Sequence, residues 1–71
     1  MRITRKQIEN EVLIAKREIL TANKGLPKEV VFDGWDLIIT PNDKVPLGVL
    51  LTLQIHYLDG EGQKMEYNVA L

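Results

Sequence analysis

The 71-residue sequence predicts an α+β domain in which an N-terminal amphipathic helix lies on one face of a four-stranded antiparallel β-meander. Three observations predict it. Apolar residues recur at helical spacing between Ile8 and Ala22 and then stop at Gly25-Leu26-Pro27. From Lys28 onward the period changes to two. Glycine-containing turns then separate segments of β-formers.

The helix start is marked twice. Thr4 followed by Gln7 reads as a capping box, and Ile3 with Ile8 occupy the two positions of a hydrophobic staple. Ile8, Val12, Ala15, Ile19 and Ala22 fall within about 40° of one direction on a helical wheel. Gly25 is placed to take a left-handed C-cap conformation, Leu26 to fold back on the last turn, and Pro27 to prevent the helix resuming. Leu13 and Leu20 lie roughly 120–140° to one side of the stripe, and Ile14 about 120° to the other. These three are surplus to a two-layer core and are candidate self-association residues.

The strands are expected at about 28–32, 35–40, 49–58 and 63–70. Asp33-Gly34 between β-formers is a strong two-residue hairpin signal. Such a turn pairs Phe32 with Trp35 and Val30 with Leu37, and with Ile39 these form one apolar face. Trp35 is therefore expected in the core. Val49–Leu58 alternates cleanly, with Val49, Leu51, Leu53, Ile55 and Tyr57 on one face. Matching that face to Met65, Tyr67 and Val69 sets Tyr57 opposite Met65, Ile55 opposite Tyr67 and Leu53 opposite Val69. The loop is then Gly60-Glu61-Gly62, with glycine at the left-handed last position. The opposite face mixes Ile38, Leu50 and Leu58 with Thr40, Thr52, Gln54, His56, Glu66 and Asn68. Its apolar members are further candidate partner contacts.

Composition narrows the chemistry. One domain spanning 1–71 is expected, small enough to be marginally stable without help. The chain contains no cysteine, so disulfides cannot supply that help, and one histidine does not make a zinc site. No cofactor or metal is expected. There is no serine, and the G-x-G at Gly60–Gly62 belongs to a hairpin loop rather than a phosphate cradle. His56 falls opposite Glu66 in the derived register, which reads as a surface pair. Asp33 with Asp36, and the acidic tip Asp59-Gly60-Glu61, read as solvated turns. No apolar run is long enough to span a bilayer and none resembles a signal sequence, so a cytoplasmic protein is expected.

Charge is divided along the chain. Residues 1–28 carry seven Lys and Arg against three Glu, a net of +4, and residues 29–71 carry two Lys against seven acids, a net of −5. Lys6, Arg17 and Lys24 align on the helix side opposite the core stripe over roughly 27 Å.

The expectation is a non-enzymatic protein-interaction module, self-associating as a dimer, that acts as a stoichiometric binder or regulator of a larger protein. Small accessory proteins of mobile elements behave this way, though only size suggests the parallel. The alternative is nucleic-acid binding through Lys6, Arg17 and Lys24.

Overall fold

The computed structural model describes residues 3–71. The order of elements is α1 (Arg5–Ala22), β1 (Val31–Pro41), β2 (Val49–Leu58) and β3 (Lys64–Ala70), and the strands form one antiparallel sheet in the order β1-β2-β3. The α+β class stands, with three strands in place of four.

The helix begins as expected. Thr4 Oγ1 accepts from the Gln7 N–H at 3.2 Å, and Gln7 Oε1 accepts from the Thr4 N–H at 2.8 Å. It ends at Ala22, with Asn23 as the C-cap residue, before the point where Pro27 would break it. Gly25 is left-handed, at φ 84°, but lies in the turn beyond. Asn23 does what composition did not reveal. Its Nδ2 donates to the Ile19 carbonyl at 2.7 Å, and its Oδ1 accepts from the Gly60 N–H at 3.0 Å, so it ties the helix end to the β2–β3 turn. Ala22, placed in the core stripe by periodicity, is exposed.

The expected hairpin at Asp33-Gly34 does not form. The two short strands are one strand, β1, which starts at Val31 rather than Lys28 and runs through the Asp-Gly pair as a bulge between Phe32 and Trp35. A two-residue hairpin turn of the expected kind needs positive φ at both central residues. Here Gly34 has it, at 88°, and Asp33 does not. The physical alternative is better pairing, because β2 is ten residues long and offers β1 a partner along its whole length, whereas a hairpin of two short strands would leave half of β2 without one. The bulge adds one residue, so side-chain parity survives. Phe32 lies opposite Tyr57, Trp35 opposite Ile55, Leu37 opposite Leu53 and Ile39 opposite Leu51.

The β2–β3 hairpin has the derived register, with Tyr57 opposite Met65, Ile55 opposite Tyr67 and Leu53 opposite Val69. Gly62, at φ 80°, closes its loop, where the Gly62 N–H donates to the Asp59 carbonyl at 2.9 Å. Asp59 Oδ1 also accepts from the Glu61 and Gln63 N–H groups, which gives the acidic tip a structural role.

The core is small. Val12, Ala15 and Ile19 of α1 meet Leu53 and Ile55 of β2, with Ile8, Phe32, Tyr57, Tyr67 and Val69 partly buried around them. Those five buried residues are few for a chain of this length, and the shape shows it. A compact chain of this length has a radius of gyration of roughly 11 Å, whereas this one has 14.0 Å. A folded monomer of 8.1 kDa exposes roughly 4,500 Å², whereas this chain exposes 5577 Å².

Candidate functional site

The excess surface has a location. A helix is about 10 Å across and neighbouring strands about 4.8 Å apart, so one helix covers two strands. The backbone of α1 lies over β2 and β3. Three contacts hold it there. Tyr67 of β3 donates its hydroxyl to Glu18 of α1, Asn23 caps the β2–β3 turn, and Leu26 packs on Gly60. The hydrogen bond to Glu18 requires the protonated phenol, and with desolvation and the Glu18 charge it raises the Tyr67 pKa above the ordinary tyrosine value. Toward β1 the helix sends Lys16, whose Nζ stands 5.2 Å from the centroid of the Phe32 ring.

The rest of β1 is left uncovered. On the helix side of the sheet Trp35 is 44% exposed, Leu37 37% and Ile39 61%. Periodicity put these residues on the helix-facing side correctly, but Trp35 is not in the core, because no second helix lies over β1. Leu13 and Leu20, 59% and 51% exposed, project from the flank of α1 on the Lys16 side. Ile14 lies on the opposite flank, in a shallow depression with Arg17, Glu18, Thr21 and Ala22. The three surplus apolar residues of the helix are therefore divided. Two lie on the flank that carries Lys16 and one on the flank that carries Glu18.

On the outer face the structure brings Ile38 and Leu50 together, since Ile38 lies opposite Thr52 and Thr40 opposite Leu50. Both are exposed. Leu58 is half-buried at the far end, opposite Val31. Polar pairs separate these two ends. Gln54 Nε2 donates to Glu66 Oε2 at 3.0 Å and to Asn68 Oδ1 at 3.1 Å. His56 lies opposite Glu66 as derived, but its Nε2 contacts Asp36 Oδ2 of β1 at 2.8 Å rather than the glutamate. The merging of two strands into β1 is what brings Asp36 alongside. As an exposed pair it contributes less than about 1 kcal/mol. An open depression of about 650 Å³ beside His56 is lined also by Asp33, Lys64 and Glu66.

β1 is also free along one edge. The Asn42 N–H donates to the Gly48 carbonyl at 2.8 Å, and the Leu71 N–H donates to the Leu51 carbonyl at 3.0 Å. Backbone groups alternate direction along an antiparallel strand. Both bonds therefore require that Asp36, Ile38 and Thr40 point their N–H and C=O groups at β2, while Trp35, Leu37 and Ile39 point theirs away from the sheet. Pro41 shares the outward parity and has no N–H to offer.

Sequence reasoning named Ile38 and Leu50 but missed Trp35, Leu37 and Ile39, the largest part of this surface. The available signal was a single helix set against more strands than it can cover. Lys6 and Arg17 are exposed on the side of α1 away from the sheet, whereas Lys24, also exposed, lies in the turn beyond the helix end and so does not continue their helical row. No helix among the described residues is long and apolar enough to cross a membrane. Comparison with protein-family models, curated proteins and solved structures finds no match.

Proposed function

We propose that this chain is a non-enzymatic protein-interaction module whose interface is β1 together with the Leu13–Leu20 flank of α1. The observation that carries the reading is that β1 is paired on one edge and, from Trp35 to Pro41, exposed on both faces. Trp35, Leu37 and Ile39 expose large apolar side chains in one row along β1, and Leu13 and Leu20 expose two more on α1, the kind of surface that marks an interaction site. A tryptophan at its centre is the side chain most often found to anchor such contacts. The module acts by binding, as a stoichiometric partner or regulator of another protein.

The test is photo-crosslinking in cells that produce the protein, with benzoyl-phenylalanine at Trp35 and, as control, at Ile14. A covalent protein adduct from position 35 that is absent from position 14 is the expected result. Absence of any protein adduct at position 35 overturns the reading.

A second reading rests on the exposed basic set Lys6, Arg17 and Lys24, the first two on α1 and the third in the turn after it. Nucleic-acid binding along it would weaken steeply with salt, and each alanine substitution would reduce the salt dependence by about one charge. A gel-shift series at low salt decides it, since the interaction-module reading expects no shift there.

A further inference from the structure

We propose that β1 is the two-fold seam of a homodimer, in which two copies pair antiparallel through β1 about Ile38 to make a continuous six-stranded sheet. This inference deepens the interaction-module reading and rests on it, by naming the occupant as a second copy of this chain.

Three features of β1 select that occupant. The first is area. The chain as a whole exposes roughly 1,000 Å² more than a folded monomer of its mass, enough for a standard interface of about 800 Å² on each partner, and β1 contributes Trp35, Leu37, Ile38 and Ile39 to that exposed surface. The second is the length and symmetry of the open ladder. The bulge at Asp33-Gly34 interrupts it on one side and Pro41 ends it on the other. The outward-directed residues between them are Trp35, Leu37, Ile39 and Pro41, and the midpoint of this run is Ile38. Pairing about Ile38 sets Leu37 opposite Ile39 of the second copy, so that each exchanges both backbone hydrogen bonds with the other. It sets Trp35 opposite Pro41, where the Trp35 N–H donates to the proline carbonyl and the missing proline N–H is not needed at the end of the ladder.

The third feature is charge. Pairing about Ile38 places Asp36 opposite Thr40 of the second copy and holds the two Asp36 carboxylates about four residues, or roughly 13 Å, apart along the strands. A shift of the centre to Leu37 would bring them onto diagonal positions roughly 7–8 Å apart, a repulsive arrangement. Residues opposite one another share a sheet face. Both helices therefore lie on the same side, and the Trp35, Leu37 and Ile39 rows of the two copies join across the seam.

The experiment is sedimentation of the purified full chain, read with amide hydrogen exchange, for the wild type, Ile39→Lys and Leu37→Pro. Ile39→Lys puts a charge into the seam, and Leu37→Pro removes an outward N–H that the monomer does not use. The wild type is expected to sediment at twice the mass of one chain, with slow exchange at Leu37 and Ile39. Both variants are expected to keep their far-ultraviolet circular dichroism and to self-associate at least about 30-fold more weakly. Should Leu37→Pro lose its fold, Ile39→Lys alone decides. A wild type that is monomeric at tens of micromolar, or a dimer that persists in folded Ile39→Lys, overturns the proposal. A monomer that still forms a cross-link from position 35 to a different protein overturns the dimer and leaves the interaction-module reading intact.

Discussion

Leu53→Ala is expected to cost about 2–5 kcal/mol, the largest loss of any single truncation in this core. Leu53 has no solvent exposure and is one of the three largest fully buried side chains, with Ile19 and Ile55. It lies opposite both Leu37 and Val69, so it is the point where the sheet's three strands and the helix converge. A domain of this length has a total stability on the order of 5–10 kcal/mol, which makes the loss a large fraction of the whole. Urea denaturation measures it. Ile39→Ala is the control, because Ile39 also lies on the helix side of the sheet but is mostly exposed. Within the monomer its loss is expected to cost under about 0.5 kcal/mol. Equal effects at the two positions would contradict the described core. If the wild type is dimeric, the comparison belongs in the Ile39→Lys background, where the seam is already open, and the control is then Ile39→Ala measured against Ile39→Lys.

Gly60→Ala is expected to destabilise by about 1–3 kcal/mol, although alanine is a small residue and Gly60 needs no unusual backbone angle. A Cβ built there would lie 2.4 Å from Leu26 Cβ and 2.8 Å from its Cδ1. Rotation of the Leu26 side chain cannot relieve the first of these, so backbone must move. Two hydrogen bonds resist that movement, with the Lys28 N–H donating to the Gly60 carbonyl at 2.8 Å and the Gly60 N–H donating to Asn23 Oδ1 at 3.0 Å. A double-mutant cycle identifies the cause. Leu26→Gly is expected to recover most of the Gly60→Ala loss and Leu26→Ala little of it, since alanine keeps the offending Cβ. Recovery by Leu26→Ala would show that the clash lies further out along the side chain.

These two sites differ in how far they can be read from sequence. Leu53 is legible, because strict alternation across Val49–Leu58, matched to Met65, Tyr67 and Val69, fixes both its face and its partner. Gly60 is legible only as a turn glycine. Its contact with Leu26 joins residues far apart in the chain and depends on how the chain leaves the helix. The same is true of Asn23, a polar residue at a helix end whose side chain turns out to hold the helix against the hairpin.

By itself the sequence determined the features that local periodicity and turn chemistry dictate. It set the capped helix and its core stripe of Val12, Ala15 and Ile19, the β2–β3 hairpin with its register, and the face on which each apolar strand residue lies. Tertiary structure decided the features that depend on competition between distant segments. Asp33-Gly34 satisfies a hairpin or a bulge equally well in local terms, and the choice fell to β2, whose ten residues pair with one long strand better than with half of a short hairpin. That choice brought Asp36 to His56 and left β1 at the sheet edge. Whether Trp35, Leu37 and Ile39 are core or surface was then settled by geometry, because one helix spans two strands and α1 is tied to β2 and β3.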